Sequence, residues 1–235
     1  MTSSLKLHVS ISELRFYLGR AAFAVGIPWG IAHDFAQVAS LLAAEGVDPA
    51  PMAARLLGNL ECGRSSAPKS VQQTTEVTHL FAEQNKCLST LFAGPALCDW
   101  CSVHAAGARP RSTLRIERVD APVVAIAYAL LRHERFEQID IGGERGENPD
   151  LARVLQELAG VSLTSTLESA DIRISAGAQE DHHQAPPYTK LPPVDGVEVD
   201  RADWDVVRRL FDSANVPSDD ASRLVGAGAG LVDND

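Results

Sequence analysis

Two junctions constrain this chain more than any other feature. Gly26-Ile27-Pro28 and Gly46-Val47-Asp48-Pro49 each place a glycine, suited to a left-handed helix end, shortly before a proline suited to a first helical turn. Between and beyond them, apolar residues recur at steps of three and four. The first face is Leu14, Leu18, Ala21, Ala22 and Val25. The second is Ile31, Ala32, Phe35, Ala39 and Leu42, with His33, Asp34, Gln37 and Ser40 opposite. The third is Met52, Ala53, Leu56 and Leu57. Ser10 and Glu13 stand at capping-box spacing, after an alternating strand-like run at 5–11. Residues 10–60 are therefore predicted to form a helical module with short turns.

The remainder is punctuated differently. Residues 63–70 have loop composition, and 71–85 suit a polar helix around Val77, Leu80 and Phe81. A strand at 88–93 should be broken by Gly94-Pro95, with a short helix through Leu97, Trp100 and Cys101. From 107 to 176 the character is sheet-rich. Residues 114–119 alternate, 138–141 form a strand before Gly142-Gly143, and 161–167 and 171–175 read as paired strands. The apolar run 122–131 fits a strand or a helix, and a strand turning helical near Tyr128 is favoured. Asn148-Pro149 opens a helix ending near Leu158.

Four prolines forbid a central strand in the loop at 177–196. The closing segment, 197–235, has a short strand, then Asp200 capping a helix with Trp204, Val207, Leu210 and Phe211 on its apolar face, then a glycine-rich tail. No fixed-period repeat is present. The expectation is one α+β domain over residues 1–235: N-terminal helices, a mixed or antiparallel central sheet, and C-terminal helices.

Charge excludes some functions. A net charge of −10 does not suit a nucleic-acid surface or an anionic membrane. The longest apolar run, 121–131, is about 11 residues, short of the roughly 18 a membrane span needs. The first residues lack the apolar core of an export signal, so a soluble cytoplasmic protein with reduced thiols is expected.

Each candidate for chemistry has a plainer reading. Cys98-Asp99-Trp100-Cys101, with His104, has one zinc knuckle where a structural site needs two, so ordinary buried thiols are preferred. Glu180-Asp181-His182-His183 lies in the proline-rich loop and reads as solvated. Gly226-Ala227-Gly228-Ala229-Gly230 follows a predicted helix, whereas phosphate loops precede one. These glycines suit close backbone packing, or a small anion nest with Arg223 adding charge. Asp99 beside Trp100 would suit acid–base work if buried. Asp233 and Asp235 either pair with cations or form a solvated end. The sequence names no metal and no cofactor.

The closing run from Ser222-Arg223-Leu224-Val225 through Asp233-Asn234-Asp235 resembles the ending of a bacterial family known as domain of unknown function 3726. Gly26 to Ala32, Gly94 to Leu97 and Asp99-Trp100 are similar to other stretches of that family. The resemblance implies a single full-length bacterial domain with a docked tail, and it carries no activity over. The resulting expectation is a small-molecule enzyme or ligand-binding protein for an anionic metabolite. Asp99 or Asp233 would be its ionisable group, and Trp29, Trp100, Arg223, Gly226 and Gly228 would bind the ligand. The alternative is a non-catalytic accessory or homo-oligomer-forming protein, with the tail and N-terminal helices as its interface.

Overall fold

The computed structural model describes residues 5–74, 76–105, 112–131, 138–146, 154, 156, 158, 169–175 and 195–214. Strand β1 (Lys6–Ser10) runs straight into helix α1 (Ile11–Ala24). Ser10 Oγ accepts from the Glu13 N–H at 3.2 Å, and the Ser10 N–H donates to Glu13 Oε2 at 3.0 Å. That reciprocal pair satisfies two donors that a helix start leaves open. Gly26 takes φ +88° and Gly46 φ +81°, so helix α2 (Trp29–Ala44) is bounded as expected. Helix α3 (Ala50–Glu61) starts where Asp48 Oδ1 accepts from the Ala50 N–H at 3.0 Å. Ser40, expected on the polar face of α2, is buried instead. Its hydroxyl donates to Gln37 O at 2.7 Å and accepts from Arg15 Nε at 2.9 Å, which pins α1 to α2.

The next segment corrects three expectations. Residues 71–85 form no helix. They hold the hairpin of β3 (Ser70–Gln73) and β4 (Val77–Phe81), flanked by β2 (Ser65–Ser66) and β5 (Cys87–Leu88). Val71, Val77 and Thr78 are β-branched and favour the pleated backbone. Gly94-Pro95 does not break the chain but lies inside helix α4 (Thr90–Ala105). A Cβ on Gly94 would sit 2.8 Å from Cγ of Tyr128, so glycine there lets α4 approach its neighbour closely. That neighbour, α5 (Pro122–Leu131), is helical throughout rather than beginning as a strand. Eight of its ten residues are buried, so it shows no polar face from which a helical period could be read.

Strands β6 (Thr113–Val119), β7 (Gln138–Ile141), β8 (Glu144–Gly146) and β9 (Ala170–Ser175) complete a sheet of order β2-β5-β6-β9-β7-β8. β4 lies along β6 and carries β3. The pairs β2–β5, β5–β6 and β4–β6 are parallel and the rest antiparallel, giving a mixed sheet. Val154, Gln156 and Leu158 are helical, within the helix expected after Pro149; the expected strand at 161–167 lies outside the described residues. Strand β10 (Gly196–Asp200) returns to pair antiparallel with β1. Asp200 Oδ1 caps helix α6 (Arg201–Ser213), accepting from the N–H of Ala202 at 2.9 Å. Trp204, Val207 and Leu210 of α6 are buried as predicted, and Phe211 stacks 4.4 Å from Tyr17 of α1. The fold is α+β.

Candidate functional site

Of the site residues singled out from sequence, Trp29, Asp99 and Trp100 are among the described ones. Trp29 opens α2 with 57% of its surface exposed, its ring 5.9 Å from that of Phe23. Asp99 is exposed on α4, so the burial that would have suited it to acid–base work is missing. Trp100 packs into the core. Arg223, Gly226, Gly228 and Asp233 lie outside the described residues, as does the loop of His182-His183. Cys98 and Cys101 are buried thiols, Cys87 is half-buried and Cys62 exposed. Among the described residues, no three His, Cys, Asp or Glu side chains converge as metal ligands.

A different constellation lies where α3, β2, β5 and β6 meet. A cavity of about 650 Å³ is lined by Arg55, Asn59, Arg64, Ser65, Cys87, Asp120 and Ser169. Each residue is placed by local backbone logic. Arg55 and Asn59 stand four apart on α3 and therefore share a face. Gly63, at φ +71°, ends α3 and turns the chain. The Arg64 N–H then donates to Asn59 O at 2.9 Å. Ser65 follows in β2, in parallel register with Cys87 of β5. Asp120 comes directly after β6, its N–H donating to Leu88 O at 3.0 Å.

Asp120 is the chemical centre of the arrangement. It is 4% exposed. Ser65 Oγ donates to its Oδ2 at 2.6 Å, and the Thr90 N–H donates to its Oδ1 at 2.8 Å. Asn59 supplies a further side-chain hydrogen bond. Thr90 also locks the backbone, its Oγ1 donating to Ala121 O at 3.0 Å and accepting from the Ala121 N–H at 3.1 Å. Burial pushes the Asp120 carboxyl above its ordinary range, outweighing the downward pull of Ser65, Thr90 and Asn59. The same carboxylate caps the first turn of α4, where open N–H groups and the helix dipole favour negative charge.

Arg55 and Arg64 line the same cavity as this acid. Arg64 makes no side-chain hydrogen bond or ion pair among the described residues. A planar guanidinium can grip a carboxylate, sulfonate or phosphate through two N–H groups. A carboxyl whose pKa is raised by burial at a cavity wall is a stronger base than an ordinary carboxylate. Sequence reasoning passed over all of these residues. The available signal was Val119-Asp120-Ala121-Pro122, an acid between an alternating strand and a proline-started helix. Its partners Ser65, Thr90 and Asn59 fall in the loop expected at 63–70, the strand expected at 88–93 and the helical module expected at 10–60.

No helix among the described residues is long and apolar enough to cross a membrane. No protein-family model matches the sequence. No curated protein matches it. Solved structures do share its fold. Malate dehydrogenase from Entamoeba histolytica superposes with a TM-score of 0.51 at 7% identity, over 91% of this chain and 99% of that one. Sulfolactate dehydrogenase from Methanocaldococcus jannaschii gives 0.53 at 10% identity, over 88% and 97%. At these identities the likeness is one of fold.

Proposed function

We propose that the chain is a small-molecule enzyme whose site is the cavity of Arg55, Arg64 and Asp120, and that its substrate is a small hydroxy acid with a second acidic group. The observation that carries this reading is that the buried Asp120 carboxyl and two arginines, Arg55 and Arg64, line one cavity. The dehydrogenases that share the fold are named for malate and sulfolactate, each an alcohol beside a carboxylate with a further acidic group. Arg55 and Arg64 would hold the acidic groups. Asp120 would exchange a proton with the bound acid, with Ser65 and Asn59 fixing its orientation. Calorimetric titration of the full chain with malate and with sulfolactate tests this. Saturable binding weakened at least tenfold by Arg64→Ala supports the reading, and no saturable binding of either acid ends it.

A second reading, a non-catalytic oligomer-forming protein, draws on the exposed aromatics of α1 and α2. Phe16, Phe23 and Trp29 are 52%, 51% and 57% exposed, more apolar ring surface than a solvated helix pair needs. Sedimentation at micromolar concentration separates the two readings: a monomer that binds malate supports the enzyme, and a dimer that binds neither acid supports the alternative.

A further inference from the structure

A smaller cavity, of about 350 Å³, opens near the end of β6, just before Asp120. It is lined by Lys69, Phe81, Ala82, Gln84, Glu117 and Arg118. The backbone there is unusual. Arg118 has φ +47°, a conformation that a side-chain-bearing residue rarely adopts, and it sits where the β6–β9 register shifts between Ile116 and Val119. A bulge of this kind re-aims a side chain that a regular strand would point elsewhere. Asp171 of β9 holds the bulge by accepting from the Arg118 N–H at 3.0 Å. Lys69 is fixed opposite, its N–H donating to Phe81 O at 3.0 Å.

Glu117 pairs with Arg115 Nη2 at 3.3 Å, which Asp171 Oδ2 shares at 3.5 Å, and lies 3.0 Å from His79 Nε2. Glu83 pairs with Lys86 at 3.1 Å and also feels the charge of Lys69. The Lys69 and Arg118 side chains make no hydrogen bond or ion pair among the described residues. A chain with a net charge of −10 has acids in excess, so two cations at one cavity with no hydrogen-bonded acid stand out. The remaining wall is apolar, formed by the half-buried Phe81 ring and the buried Ala82.

We infer that this cavity binds a phosphate monoester carrying a flat apolar group, with Lys69 and Arg118 on the phosphate and Phe81 against the ring. Two cations suit a dianion better than a monoanionic carboxylate. The apolar wall adds affinity that bare phosphate cannot use. The site is separate from the Asp120 cavity and does not depend on its function.

Calorimetric titration of the full chain with phenyl phosphate tests the inference, with inorganic phosphate and benzoate as comparators. Arg118→Gly is the informative variant, because glycine accepts the positive φ and keeps the bulge while removing the cation. The expected result is saturable phenyl phosphate binding, weaker for inorganic phosphate and for benzoate. Affinity should fall at least tenfold in Arg118→Gly and at least fivefold in Lys69→Ala, and malate should not compete. Any of three results overturns it: no saturable binding, equal affinity for inorganic phosphate and phenyl phosphate, or an affinity unchanged in Arg118→Gly. Displacement by malate also overturns it, since the ester would then be in the Asp120 cavity.

Discussion

Ser65 Oγ donates to Asp120 Oδ2 at 2.6 Å, joining the first residue of β2 to the residue that follows β6 across 55 positions of sequence. The bond makes the candidate acid part of the scaffold. Asp120 therefore has two duties that different substitutions separate. Asp120→Ala leaves the Ser65 hydroxyl and the Thr90 N–H without their acceptor inside the protein, and each buried donor left unmade costs about 1–3 kcal/mol. Asp120→Asn keeps a carbonyl oxygen for one donor and should cost about 1 kcal/mol, while losing the ability to take a proton. Urea unfolding should rank wild type above Asn above Ala. Any turnover of a bound hydroxy acid should fall in Asn at least a hundredfold, the usual scale of a lost general base. An Asn variant with full activity would leave Asp120 as a helix cap only.

The raised pKa of Asp120 fixes the sign of a pH effect. Its folded carboxyl holds its proton to higher pH than the ordinary value of 3.8, so the folded state binds more protons than the unfolded one between those two values. The contribution of this group to stability is then fully present below the unfolded pKa and is lost as pH rises through the folded one. Asp120→Asn removes that dependence and leaves other carboxyls in place. The stability of wild type minus that of Asp120→Asn, from urea unfolding between pH 3 and 7, should shrink as pH rises. A difference that grows with pH would show the carboxylate to be stabilised in the fold, against the burial argument.

Gly94 should resist replacement despite lying in a helix. Alanine is favoured over glycine in a helix interior by about 1 kcal/mol. Its Cβ, however, would stand 2.8 Å from Cγ of the buried Tyr128. Overpacking of that kind costs about 1–3 kcal/mol, so Gly94→Ala should be net destabilising by thermal or urea unfolding. In a Tyr128→Ala background the Cγ and Cδ2 contacts are gone, and the same change should cost less or become neutral. Equal penalties in both backgrounds would place the cause outside the α4–α5 contact.

These contacts explain why some elements were legible and the site was not. The helices between 11 and 61 announce themselves because each boundary is local. Ser10 with Glu13, Gly26, Gly46 and Asp48 act within four residues of the ends they define. Helix α5 hides because burial on nearly all sides erases its period. The hairpin at 70–81 hides because Val77, Leu80 and Phe81 stand three and four apart, a spacing that also suits a helix. Asp120 depends on Ser65 and Thr90, which stand 55 and 30 residues away. No spacing rule links such positions; a parallel pairing of β5 and β6 does.

Asp48 offers a last test, of how the two ends of the described chain are held. Its Oδ1 accepts from the Ala50 N–H at 3.0 Å at the start of α3. Its Oδ2 accepts from the Asp200 N–H at 2.9 Å, at the end of β10, and from Lys6 Nζ at 3.2 Å in β1. One carboxylate thus joins three elements that are far apart in sequence. Asp48→Ala removes a helix-start acceptor worth about 1 kcal/mol and a half-buried bond to a backbone N–H worth about 1 kcal/mol. The Lys6 pair is exposed and adds little. Asp48→Ala should therefore lose about 2 kcal/mol in urea unfolding by these two terms, and Lys6→Ala less than about 0.5 kcal/mol. Hydrogen exchange should quicken for the amides of β1 and β10 in Asp48→Ala while those of β6 and β9 hold. Uniform quickening across both sheets would mean that Asp48 contributes only to global stability and does not act as a local clasp between the ends.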